Sequence, residues 1–161
     1  MTSILSGNEQ FKKLLAIFGE VADLYGAASV LVWDEQTYMP KAGAQARTRQ
    51  KATLERLAHQ RLSDPRVGEL IQRLEEECRH LPADSWERAM LRAARRQYDK
   101  AVKLPPDLVA ALSEAGSQGF NAWLEARRAN DFEVFRPHLE RLVDLQIQKA
   151  DALGWDDCRY D

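Results

Sequence analysis

The sequence predicts an all-α fold, a bundle of about six antiparallel amphipathic helices, and three observations carry that prediction. Ala and Leu number 42 of the 161 residues while Val, Ile and Thr number 16, a balance that favours helix over sheet. Apolar residues recur at three- and four-residue spacing along most of the chain. Proline and capping residues cut that pattern into segments of helical length. With 45% apolar and 30% charged residues, a core inside a solvated surface is expected, as one helical domain over 1–161.

Ser6 with Glu9 forms a candidate capping box at the start of the first helix. Phe11, Leu14, Leu15, Phe18, Val21, Ala22, Tyr25, Ala28 and Val32 mark its apolar face, with a bend expected near Gly26 and a stop at Pro40. A second helix is expected from about Gly43 to Leu62, with Leu54, Leu57, Ala58 and Leu62 inward. Ser63-Asp64-Pro65 then starts a third, because a capping side chain followed by proline suits a first helical turn. Its stripe is Val67, Leu70, Ile71, Leu74, Cys78 and Leu81, with Glu69/Arg73 and Glu75/Arg79 placed to pair on the wet side.

Pro82 closes that helix, and Asp84 with Glu87 opens a fourth carrying Trp86, Met90, Ala93, Ala94, Tyr98 and Val102. Leu104-Pro105-Pro106-Asp107 is the clearest punctuation in the chain. The fifth helix sets Leu108, Leu112, Ala115, Gly119, Trp123 and Ala126 on one side, and its Gly116 and Gly119 suggest close backbone packing. Asn130-Asp131 breaks the run. The sixth takes Pro137 in its first turn and runs through Leu139, Leu142, Val143, Ile147 and Ala150 to Leu153, with Gly154 as its cap.

Composition narrows the function classes. A net charge of −2, from 23 Lys+Arg and 25 Asp+Glu, offers no global field toward nucleic acid or anionic lipid. Two locally basic segments, 41–62 and 84–103, come without a recognition motif; their charges are expected to be solvated or to meet acids elsewhere. The longest apolar run, 26–33, is too short to span a bilayer, and Cys78 and Cys158 build no disulfide framework, so a cytoplasmic protein is expected. His59, His80 and His138 never fall within a turn of one another, so no metal site is expected within this chain. Glu75-Glu76-Glu77 reads as a solvated face, since consecutive residues do not converge on one atom. No H-E-x-x-H, G-x-S-x-G, P-loop or dinucleotide-binding glycine pattern is present.

One segment departs from ordinary bundle sequence. Trp33-Asp34-Glu35-Gln36-Thr37-Tyr38-Met39-Pro40 sets aromatics, acids and a hydroxyl at a helix end. On periodicity alone it is a helix stop, with Trp33 and Met39 plugging the core. The pattern W-D-x-x-T-x-M-P, formed by Trp33, Asp34, Thr37, Met39 and Pro40, also resembles the N-terminal part of the carboxypeptidase Taq family, the zinc metallopeptidases also called thermostable carboxypeptidase 1. Further matches follow in order: Gly43-Ala44 to Arg47, Leu54 to His59, Ser63-Asp64-Pro65, Pro105 to Leu108, Trp123, and Asn130-Asp131-Phe132. Phe135, Pro137, Leu139, Ala150, Leu153-Gly154 and Tyr160-Asp161 close the similarity, which covers nearly the whole chain.

The resemblance implies an all-helical hydrolase that removes single residues from peptide C-termini, commonly as a homodimer, with N-terminal helices walling or capping a deep groove. It implies zinc or cobalt in the full-length protein, held by an H-E-x-x-H helix and a later glutamate, with a metal-bound water as nucleophile. No position here matches those ligands, so no catalytic or metal residue is carried over. This chain is therefore expected to be an N-terminal fragment, inactive alone. Trp33, Asp34, Thr37, Tyr38 and Met39 are its candidate groove-lining or bracing residues. Peptide is the expected substrate of the full-length enzyme, with neither nucleic acid nor membrane as partner. The alternative is a stand-alone helical module for oligomerisation or protein interaction.

Overall fold

The computed structural model describes residues 8–159. Among them are six α-helices and no strand: α1 (Glu9–Thr37), α2 (Ala44–Leu62), α3 (Pro65–Glu77), α4 (Trp86–Lys103), α5 (Pro106–Ala129) and α6 (Arg136–Leu153). Short 3₁₀ turns, Lys41–Gly43 and Phe132–Val134, precede α2 and α6. The all-α expectation holds.

The caps are mostly where the sequence places them. Ser6 lies outside the described residues; Asn8 caps α1 by accepting from the Gln10 and Phe11 amides. Asp64 caps α3 ahead of Pro65, and Asn130 ends α5 in the left-handed region at φ 52°. Gly154 caps α6 at φ 84°, where a side chain would be strained. Ser85, not Asp84, caps α4 through its hydroxyl, because that helix begins one residue later than expected. α1 runs unbroken through Gly26. By length and composition α1 is also apolar enough to cross a membrane, a property the short 26–33 run does not reveal.

Three apolar clusters hold these helices together. The largest joins Phe11, Leu14 and Ile17 of α1 to Val67, Leu70, Ile71 and Leu74 of α3 and to Leu91 and Ala94 of α4. A second gathers Val21, Ala58, Leu62 and Ala101. The third places Leu108 and Ala115 of α5 against Leu145 of α6. α2 lies between α1 and α5, and α5 between α2 and α6.

Several expected core positions are on the surface instead. Leu57, Trp86, Val102 and Trp123 are exposed, and α4 turns Leu91, Ala94 and Ala101 inward. α6 differs most. Its only buried residue is Leu145, while the expected stripe leaves Leu139 37%, Val143 49% and Ile147 38% exposed. Glu75 does not pair with Arg79 along α3; it accepts from Arg95 of α4 at 2.9 Å, a shorter contact than the 3.8 Å of Glu69–Arg73.

Glycine packing also departs from expectation. A Cβ at Gly119 would lie 2.9 Å from Leu142 Cδ1, but one at Gly116 would meet nothing. The closest approach is at Gly68, where a Cβ would fall 2.5 Å from the Tyr98 hydroxyl and 2.6 Å from its ring. Gly68→Ala is therefore expected to destabilise by about 1–2 kcal/mol even after its gain in helix propensity. Gly116→Ala should instead stabilise by about 0.5–1 kcal/mol. Urea midpoints of the two variants check the contrast.

The Asp64 cap carries a pH signature. Hydrogen bonds from the Arg66 side chain and then its backbone amide hold the Asp64 carboxyl at about 2, below its ordinary 3.8. A depressed folded-state value means that the stabilisation is complete above the unfolded value and fades as pH falls through about 2. Asn also caps helices but carries no charge. Urea midpoints of wild type and Asp64→Asn should thus differ at neutral pH and converge in acid.

Candidate functional site

α1 stops by closing its last turn on itself. Thr37 Oγ1 donates to the Trp33 carbonyl at 2.7 Å, and the Tyr38 and Met39 amides both donate to the Asp34 carbonyl, at 3.0 and 2.9 Å. These bonds satisfy carbonyls that a helix end leaves free. Trp33 does not plug the core: it is 57% exposed and Tyr38 is 78% exposed. Their rings meet edge to face, with centroids 5.5 Å apart. Met39 folds back over Gly43, where a Cβ would come within 3.3 Å of its Cγ. All five candidate residues thus fall within one turn and its exit, with the two aromatics on the surface.

The acids next to Trp33 in the same turn are held by ion pairs. Asp34 accepts from Arg47 Nη2 of α2. Glu35 accepts from Lys51 Nζ at 2.7 Å, and the same ammonium donates to Ser117 Oγ of α5 at 2.8 Å. The Lys51 and Glu35 side chains are only 9% and 3% exposed. One lysine therefore ties together α1, α2 and α5. Glu35 Oε1 and Arg47 Nε, members of these pairs, are buried without a hydrogen-bond partner. These contacts also place part of the basic 41–62 segment: Arg47, Lys51 and Arg61 each pair with an acid of α1, the last with Glu20 at 2.6 Å.

The Glu35–Lys51–Ser117 chain is absent from the sequence-based site. A signal for it exists, since Lys51 lies seven residues before Ala58 and eleven before Leu62, on the buried side of α2. A lysine on that stripe needs a partner.

The described residues do not fit a metal centre: no group of three or more His, Cys, Asp or Glu side chains is placed to hold an ion. His59 is buried between helices, and its 3.0 Å contact to the Ala101 carbonyl requires the proton on Nε2. Burial, reinforced by Glu77 and Glu87, raises the Cys78 thiol above its ordinary value and disfavours the nucleophilic thiolate. The Trp33–Met39 turn therefore offers a shaped, aromatic surface beside two ion-paired acids, without a paired nucleophile and base.

Known proteins resemble this chain over most of its length. The family profile described as carboxypeptidase Taq (M32) metallopeptidase matches residues 13–161. The chain belongs to the M32 family. Thermostable carboxypeptidase 1 of Thermus thermophilus is 35% identical over 143 residues, covering 89% of this chain and 28% of its own length. The protein of the same name from Pyrococcus furiosus is 32% identical over 155 residues, covering 96% of this chain and 30% of its own. A structure of Pyrococcus furiosus carboxypeptidase superposes with a TM-score of 0.73 at 31% identity, over 96% of this chain and 30% of that one. The crystal structure of BsuCP, at 24% identity, shares the fold alone, with a TM-score of 0.88 over 96% of this chain and 31% of its own. This chain thus spans about 30% of the length of the M32 relatives it matches.

Proposed function

We propose that this chain forms the N-terminal helical part of a zinc-dependent metallocarboxypeptidase that removes C-terminal residues from peptides, and that it is inactive by itself. One observation carries the reading: the family match runs along 13–161, yet the chain corresponds to under a third of its relatives' length. The reading puts the metal chemistry in the remainder of such an enzyme. In that enzyme the Trp33–Met39 turn lines or braces the peptide groove. The reading extends to a homodimeric, cytoplasmic protein with peptide as its substrate.

The test is direct. The purified chain, incubated with Zn²⁺ or Co²⁺ and N-blocked peptides, is expected to release no C-terminal amino acid. Metal-dependent release would overturn inactivity. In an enzyme of full family length, Trp33→Ala and Asp34→Ala should lower kcat/KM or Tm. If neither changes, the groove assignment fails.

A second reading, a stand-alone interaction module, draws support from the exposed stripe Leu139/Val143/Ile147. It requires self-association or a partner, and a concentration-independent monomer in sedimentation removes the self-association form.

A further inference from the structure

Two adjoining hollows lie against α6, the second of them between α4 and α6. One, of about 570 Å³, is lined by Leu139, Leu142, Val143 and Ile147. The other, of about 510 Å³, is lined by Lys100, Lys103, Lys149, Arg159 and Trp155. They share Gln146, Ala150 and Arg159, and so form one groove with an apolar half and a basic half. Among the described residues, neither half is lined by Asp or Glu. Glu140 and Asp144, the acids nearest in sequence to the stripe, do not line it.

The cations are unequally engaged. Lys103 donates to the Leu153 carbonyl at 2.8 Å, while Arg159 pairs with Asp151 at 2.7 Å and lies 5.9 Å from the Trp155 ring centroid. Lys100 and Lys149 have no ion pair among the described residues. Four cations around one hollow, of which Arg159 alone is in an ion pair among the described residues, make a basic surface that favours an anionic partner. The apolar half poses a matching problem, since α6 spans 18 residues and buries one. Its stripe repeats every four residues, the spacing that another helix's ridges fill.

We propose that this groove seats an acidic amphipathic helix from the part of the M32 fold that this chain does not span. Its apolar face would cover Leu139, Val143 and Ile147, and carboxylates at one end would meet Lys100 and Lys149. The charge of the groove selects an acidic partner. The source is argued from length: the region matched here is 28–30% of the relatives' chains, so about 70% of each is available to supply the helix. The inference rests on reading this chain as one part of a longer peptidase.

The experiment uses the 161-residue chain with short synthetic peptides tiled over the unmatched part of the Pyrococcus furiosus relative. Binding is followed by fluorescence anisotropy at low and at raised salt. The tightest binders should combine an apolar stripe with clustered acids, and should weaken as salt rises. Lys100→Glu with Lys149→Glu should weaken them about tenfold or more, with an unchanged circular dichroism spectrum. Val143→Asp should also abolish binding. The salt dependence reads out the basic half without any variant. Four results overturn the inference: neither a tile nor a designed acidic amphipathic peptide binds, basic tiles bind equally well, charge reversal has no effect, or the chain forms a dimer that Val143→Asp dissociates. Binding of a designed acidic amphipathic peptide but of no tile overturns the source alone. The peptide-release assay judges the proposed activity separately.

Discussion

Lys51→Met is expected to lower unfolding stability by about 3–5 kcal/mol, read as a fall in the urea midpoint. Among the described residues, the ammonium it removes is the only hydrogen-bond partner of the Glu35 carboxylate, whose side chain is 3% exposed. Left alone, that carboxylate keeps its desolvation cost and loses the attraction that offsets it. The companion variant separates this cause from lost packing. Lys51→Met combined with Glu35→Leu removes both charges and should recover most of the loss, giving a large coupling in the double-mutant cycle. A single-variant cost under about 1 kcal/mol would mean that the pair behaves as a surface bridge.

Leu14→Ala should cost about 3 kcal/mol or more, whereas Ile147→Ala should cost under about 1 kcal/mol. Both residues occupy apolar positions of amphipathic helices. Leu14 has no exposed surface and packs among α1, α3 and α4, so shortening it opens a cavity. Ile147 is 38% exposed, so shortening it removes methyl groups that water already reaches. Thermal melts of the two variants make the comparison. Equal losses would show that α6 is as well covered as α1.

That contrast also explains what the sequence made legible. The apolar stripe of α3 is legible because α1 and α4 both pack on it and Val67, Leu70, Ile71, Leu74 and Cys78 are all buried, although the helix stops at Glu77 and leaves Leu81 in the turn before Pro82. On α6 the periodicity marks the face that avoids water, but it contains no information about whether a partner stands opposite. Glu75 shows a related gap: spacing along one helix suggests Arg79, while the better partner, Arg95, lies 20 residues away and arrives only when α4 docks. At the site, the motif isolates Trp33–Met39, and the chain does gather those residues into one turn. Lys51 escaped because a lysine is ordinarily read as solvated. Only the meeting of three helices gives it Glu35 and Ser117 as neighbours.

The unbroken course of α1 makes it a lever. From Leu14 to Trp33 the rise is about 29 Å at ~1.5 Å per residue. A tilt of about 3° at the base would therefore carry the aromatic tip roughly 1.5 Å, by the same helical geometry. The base is fixed by the largest core cluster, and the tip is tethered by Asp34–Arg47 and Glu35–Lys51. Anchored at both ends, the rod holds its surface rings in register with α2 and α5.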